Sequence, residues 1–380
     1  MHLTSKLPSI STSIFTTMSK LAGEHGAVNL GQGFPNFPID PMLGKLVEKY
    51  IAQGFNQYAP MQGVPELRKA LVEKVKKLYG RIYDWNDEIT ITAGGTQAIF
   101  TAITALVHEN DEVVLFAPAY DCYSPAIELN GGIPVWIELY CPDYKINWEL
   151  VRKRVNHRTR MIIINTPHNP CGTILTNDDL TELEKIISGT DIIVLSDEVY
   201  EHILFDKQRH ESVARYPKLA DQSFIVFSFG KTYHITGWKM GYILGPAALM
   251  NEFRKVHQFN VFSCNTPVQY ALTEYMEDES RWTTLPKFYQ QKRNFFLAQL
   301  KGSRFSWKPS AGSYFQLLNY ENISAEKDVS VAMEWTRKHK VTGIPVSVFY
   351  PNGNADKVLR FCFAKDDETL EKAGEILCGI

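Results

Sequence analysis

The chain has 380 residues, room for two or three domains of ordinary size and for a large buried core. Lys plus Arg number 40 against 42 Asp plus Glu, a net charge of −2, which excludes the strongly basic footprint of a nucleic-acid-binding domain. Hydrophobic residues at 44% and charged residues at 22% exclude a mainly disordered chain, and there is no run of about 18 apolar residues to suggest a membrane span.

The first residues, Met1-His2-Leu3-Thr4-Ser5-Lys6-Leu7-Pro8, lack the apolar stretch of a secretory signal. The 6 cysteines are scattered without a C-x-x-C pair, a usage expected of a reduced, cytoplasmic protein with neither a disulfide frame nor a metal site. Residues 1–42 end in Gly31-Gln32-Gly33-Phe34-Pro35-Asn36-Phe37-Pro38 and are expected to be an irregular, pocket-lining arm. From 43 to 275, short apolar runs alternate with helical periodicity. Residues 88–93 read as a strand. Residues 96–107 read as a helix, with Ala98, Ile99, Ala102, Ile103, Leu106 and Val107 on its apolar face. A further run at 112–116 ends at Pro118, and runs at 161–164, 192–195, 224–227 and 240–244 each stop at a polar or glycine residue. Strands apolar on both faces and interleaved with helices predict an α/β fold, a parallel sheet covered by helices on both sides. Residues 276–380 read as a smaller α+β domain. It has a helix at 285–300, strands near 313–318 and 358–363, and an acidic last helix, with the N-terminal arm as the candidate segment to complete it.

Ligands of open parallel sheets bind at the carboxyl ends of the strands. Those ends carry Asn169, Asp197 followed by Tyr200, and Ser228 followed by Lys231. Gly94-Gly95-Thr96-Gln97 opens a helix whose free N–H groups can seat a phosphate, although no P-loop Gly-Lys-Ser/Thr is present. Each feature alone has an ordinary explanation as a cap, a turn or a solvated side chain. A phosphate seat, a carboxylate and a lysine on neighbouring strand ends together describe a site for pyridoxal 5′-phosphate. That cofactor needs a Schiff-base lysine, an acid for its ring nitrogen and donors for its phosphate.

Asn169-Pro170-Cys171-Gly172, Asp197-Glu198-Val199-Tyr200, Ser228-Phe229-Gly230-Lys231 and Gly237-Trp238-Lys239-Met240-Gly241 resemble the fold-type I, class I/II aminotransferases. So do Asn56-Gln57-Tyr58 with Gly63, and Arg360-Phe361-Cys362-Phe363. The likeness runs in order through essentially the whole chain. The Gly-Gln-Gly-Phe-Pro arm and the Gly-Trp-Lys step look like the kynurenine/glutamine transaminase branch. Within that branch, Asn165-Thr166-Pro167-His168-Asn169-Pro170, Lys231-Thr232-Tyr233-His234 and Phe262-Ser263-Cys264-Asn265-Thr266-Pro267 look like bacterial methionine aminotransferases.

The resemblance implies a large domain with a mostly parallel seven-stranded sheet sandwiched by helices (residues 43–275), a smaller α+β domain (276–380) and an arm (1–42) that joins it. It also implies a homodimer with shared sites, acting on amino acids and 2-oxo acids. Lys231 becomes the Schiff-base lysine and proton carrier, and Asp197 the partner of the ring nitrogen. Asn169 and Tyr200 bond the cofactor's phenolate oxygen, and Tyr120 stacks on its ring. Gly95, Thr96, Gln97, Ser228 and Lys239 take the phosphate, joined by Tyr58 of the neighbouring subunit. Arg360, with Asn169, grips the substrate carboxylate. Gly33 and Phe15 line the substrate side, and Phe262 and Ser263 reach in from the partner. Lys239 stands where many relatives have Arg, and Cys171 reads as packing. His168 and His234 read as structural histidines beside the site. The implied activity is transamination of methionine and other neutral or aromatic amino acids. The alternative is a kynurenine–oxoglutarate/glutamine transaminase with cysteine-conjugate β-lyase side activity.

Other classes lack their motifs: there is no H-E-x-x-H, no G-x-S-x-G, and no strand-borne G-x-G-x-x-G. A non-catalytic, aminotransferase-like regulator would need a DNA-binding domain, for which the residues before the Gly-Gln-Gly arm leave no room.

Overall fold

The computed structural model describes residues 3–8, 10, 12–353 and 356–380. Its strands are β1 (Val28–Asn29), β2 (Ile89–Thr92), β3 (Glu112–Ala117), β4 (Ile133–Glu138), β5 (Thr159–Asn165), β6 (Ile193–Asp197), β7 (Ser223–Ser228), β8 (Gly241–Leu244), β9 (Phe315–Asn319), β10 (Val341–Thr342), β11 (Ile344–Pro345) and β12 (Val358–Cys362). Seven of them form one sheet in the order β2-β8-β7-β6-β5-β3-β4. Only β8 runs antiparallel to its neighbours, so the sheet is mostly parallel.

The apolar runs are buried on both faces because side chains alternate. Val113, Leu115, Met161, Ile163, Ile193, Leu195, Phe224 and Val226 pack under the helix Gly95–Leu106. Val114, Phe116, Ile162, Ile164, Val194, Ile225 and Phe227 point the other way into the main core. Parallel pairing then brings the carboxyl ends of β5, β6 and β7 side by side, with Asn165 opposite Asp197 and Asp197 opposite Val226.

Strands β11, β12 and β9 make a second, antiparallel sheet, with Arg360 in the middle of its central strand opposite Leu317. Strand β1 pairs in parallel with β10, which ties the N-terminal segment to the C-terminal part of the chain.

Two expectations are corrected. The arm is not wholly irregular: residues Ile14–His25 form a helix with Met18, Leu21 and Ala22 buried. Ser13 caps its start and Gly26, at φ 59°, ends it in the left-handed conformation. Strand β4 is missing from the runs read as strands: Ile133-Pro134-Val135-Trp136-Ile137 is apolar, but its proline argues against a central strand, and it lies half-exposed at the sheet edge. No helix among the described residues is long and apolar enough to cross a membrane.

Candidate active site

A cavity of about 230 Å³ opens at the carboxyl ends of these strands. Of the residues singled out in the sequence, Phe15, Gly33, Gly95, Thr96, Tyr120, Asn169, Asp197, Tyr200, Ser228, Lys231, Lys239 and Arg360 all line it.

Asp197 is the last residue of β6 and is buried. Its Oδ2 accepts a 2.6 Å bond from the Tyr123 hydroxyl, and its Oδ1 a 3.3 Å bond from the Val199 N–H. Burial pushes its pKa up to about 6, against the opposing effect of these donors. Asn165, at the end of β5, accepts from the Asn169 N–H at 2.7 Å and donates to the Asp197 carbonyl at 2.8 Å. One side chain therefore braces both the acid and the loop that carries Asn169.

Lys231 lies in a single helical turn, Phe229–Thr232, directly after β7. Its Nζ donates to the Tyr314 hydroxyl at 3.1 Å and stands 3.5 Å from the Gly33 carbonyl. Burial pushes its pKa down to about 8, so the neutral amine is accessible near physiological pH.

Gly94, at φ 85°, turns the chain into the helix Gly95–Leu106, whose first N–H groups have no intrahelical acceptor. A Cβ at Gly95 would come within 3.0 Å of Val199, so glycine lets the helix start seat closely there. Lys239 adds a cation beside Gly94: a Cβ built on Gly94 would lie 3.6 Å from its Nζ. This end of the cavity suits an anion. Thr96 Oγ1 lies 3.3 Å from the Tyr120 hydroxyl. The Gln97 side chain turns away, accepting from the Ala93 N–H and donating to Thr101, so only its backbone is left for a ligand.

Arg360 is almost fully buried. Its Nη1 donates to Asn169 Oδ1 at 2.8 Å and its Nη2 to the Gly31 carbonyl at 2.9 Å, while its Nε has no partner among the described residues. The rings of Phe315, Phe15 and Phe349 surround the guanidinium at 3.9, 5.1 and 5.5 Å. A buried cation held by neutral acceptors and aromatic faces, with N–H donors to spare, is a site for a carboxylate.

Besides Gln97, three expected residues do not line this cavity within one chain. Tyr58 is 82% exposed and Phe262 45% exposed, and they pair edge-on at 5.4 Å. Ser263 donates to the Ala59 carbonyl. His168 and His234 are packed away from the cavity, and burial pushes both down to about 4, which keeps them neutral. Cys171 is buried. Sequence reasoning assigned no role to Tyr123, Asn165 or Tyr314; the partners of Tyr123 and Tyr314 lie far away in the chain, and Asn165 joins nearby Asn169 to distant Asp197. A larger groove of about 980 Å³, bounded by 141–146, 171–176 and 306–311, contains Cys171 but none of the residues that line the cavity at the strand ends.

A half-buried lysine, a buried carboxylate, an anion seat and a caged arginine at the strand ends of an α/β fold suit an anionic group together with a carboxylate ligand. The chain belongs to the class I and II aminotransferase family, whose model matches residues 26–377. It is 46% identical over 374 residues to the methionine aminotransferase of Escherichia coli strain K12, covering 98% of this chain and 97% of that protein. It is 33% identical to human kynurenine–oxoglutarate transaminase 1, covering 94% and 93% of the two chains. The crystal structure of YbdL from Escherichia coli, reported with a methionine aminotransferase function, superposes with a TM-score of 0.98 at 45% identity over all of both chains.

Proposed function

We propose that this chain is a pyridoxal-phosphate-dependent transaminase that takes the amino group from methionine and other neutral or aromatic amino acids and passes it to a 2-oxo acid. The observation that carries this reading is the convergence of Lys231, Asp197 and Arg360 on one cavity. The 46% identity to a methionine aminotransferase supports the substrate class. The cofactor fits the donor set: a cation and free N–H groups at the Gly94–Thr96 end, a buried acid at the base, and a lysine whose burial favours the free amine.

When bound, pyridoxal phosphate supplies an aldehyde carbon for Schiff-base exchange and a ring that accepts electrons. The protein's part follows from its own residues. Asp197 holds a proton on the ring nitrogen, and Tyr123 and Val199 keep its carboxylate in place. Asn169 and Tyr200 offer donors to the phenolate oxygen, and Tyr120 offers a ring face. Gly95, Thr96, Ser228, Lys239 and the Gln97 backbone take the phosphate. Lys231, with its amine free, would move a proton as a general base and then as a general acid. Arg360 fixes the substrate carboxylate, while Phe15 and Gly33 face the side chain and select against charged ones.

Two copies complete the site in this reading. Tyr58 and Phe262, exposed and paired edge-on, would be covered by a second copy, bringing Tyr58, Phe262 and Ser263 to the neighbouring cavity. Domain boundaries near residues 42 and 275 belong to the same reading.

The test is kcat/KM for methionine, phenylalanine, glutamine, kynurenine and aspartate with a common 2-oxo acid. Methionine is expected to exceed aspartate by a wide margin. The reverse order would overturn the substrate assignment.

A further inference from the structure

Tyr314 is fully buried and follows Ser313, whose φ of 59° is left-handed. Its ring is fixed edge-on between Tyr200 at 5.1 Å and Phe315 at 5.0 Å, with Tyr289 tilted against it at 5.9 Å. Its hydroxyl proton goes to the Gly33 carbonyl, at 2.5 Å. The oxygen lone pairs are therefore what it presents to Lys231 Nζ, at 3.1 Å. The same Gly33 carbonyl lies 3.5 Å from that nitrogen, the outer limit of hydrogen bonding. Gly33 approaches closely because it has no side chain: a Cβ there would meet Phe315 Cζ at 2.8 Å.

A neutral primary amine has two N–H bonds and one lone pair. With the Tyr314 oxygen and the Gly33 carbonyl accepting its two hydrogens, the lone pair has a single remaining direction. We propose that Tyr314 is a positioning residue for Lys231: together with the Gly33 carbonyl it holds the released amine and aims its lone pair for proton transfer. The proposal rests on Lys231 being the reacting amine. Nζ takes up one proton from the substrate carbon and gives one back, so no net proton is gained. Tyr314 keeps its own proton throughout, because burial holds the phenol neutral.

The test uses the full chain and Tyr314→Phe. In cofactor-free protein, Lys231 is acetylated with acetic anhydride across a pH series and the labelled peptide is quantified by mass spectrometry. Removing the phenol takes an acceptor from the ammonium, so the midpoint for labelling should move to lower pH. In cofactor-loaded protein, kcat for methionine should fall by about 10- to 100-fold with KM nearly unchanged. A more basic-free yet slower amine is the signature of lost aim, which a packing role would not produce. An unshifted labelling profile overturns the proposal, whether or not kcat falls. If wild-type Lys231 is not protected from labelling by added pyridoxal phosphate, the assignment of Lys231 fails and takes the proposal with it. Should Tyr314→Phe fold poorly, 4-fluorophenylalanine placed at Tyr314 keeps the ring and fills the para position with an atom that cannot ionise and accepts hydrogen bonds only weakly. The labelling midpoint should again shift to lower pH, and no shift overturns the proposal.

Discussion

Asp197 exposes a cost of the site that can be measured without any turnover. Its carboxyl is buried, and its pKa is raised from 3.8 to about 6 in the folded chain. A raised carboxyl pKa means that the folded state holds the proton more tightly than the unfolded state does. The carboxyl therefore costs no stability below pH ~3.8, and its cost grows as pH rises and is complete above pH ~6. At 1.36 kcal/mol per unit, the full penalty is about 3 kcal/mol at pH 8 and about 1.5 kcal/mol at pH 5. Asp197→Asn removes it. The amide keeps one acceptor for Tyr123 but leaves Val199 short of one, a loss of about 1 kcal/mol that does not vary with pH. Urea unfolding of the cofactor-free proteins should show the variant gaining about 1.5 kcal/mol more over wild type at pH 8 than at pH 5. A stability difference that is flat with pH, or that shrinks toward pH 8, refutes the reasoning. The same variant should hold pyridoxal phosphate less tightly, because the amide cannot pair with a protonated ring nitrogen.

Four further outcomes follow from the geometry. Lys231→Ala should keep the folded stability of the cofactor-free protein within about 1 kcal/mol or raise it, since it deletes a buried amine, and should lose turnover by several orders of magnitude; near-normal steady-state turnover would refute the role of Lys231. Arg360→Gln should weaken saturation by both amino acid and 2-oxo acid by about 2–5 kcal/mol, read from half-reaction titrations, and unchanged half-saturation would count against the carboxylate site. Tyr123→Phe removes a 2.6 Å donor from Asp197 and should weaken cofactor binding by about 1–2 kcal/mol, measured by equilibrium titration. Lys74→Met leaves the buried Glu201, now 2.6 Å from Lys74 Nζ, without its cation and should cost about 3–5 kcal/mol in urea unfolding; an unchanged midpoint would show that the pair is not needed.

The ends of β5, β6 and β7 were legible in the sequence because their apolar runs stop abruptly at polar residues, and buried parallel strands write that pattern directly. Asp197, Ser228 and Asn169 could therefore be placed by local signals alone. The helix Ile14–His25 was hidden because the Gly/Pro cluster at 31–38 dominates the composition of the arm. Strand β4 was hidden because Pro134 interrupts its apolar run and argues against a central strand, while an edge position tolerates it. Tyr123 and Tyr314 were not legible, since an aromatic side chain gives no sign of the distant group it will touch: Asp197 lies 74 residues from Tyr123, and Lys231 lies 83 from Tyr314. Gln97 shows the converse. Its position was legible, but its side chain is drawn away by Ala93 and Thr101. Arg360 stood out by motif, yet its aromatic cage depends on the pairing of β12 with β9 and on the N-terminal helix that carries Phe15.

The central claim is that Lys231, Asp197 and Arg360 act together on one cofactor and one amino acid. The most direct test is the absorbance of purified protein loaded with pyridoxal phosphate, recorded before and after stoichiometric methionine and again after a 2-oxo acid. The visible band of the lysine-bound cofactor should disappear with methionine and return with the 2-oxo acid. A band that methionine leaves unchanged would contradict the substrate assignment, and failure to form any such band would contradict the site itself.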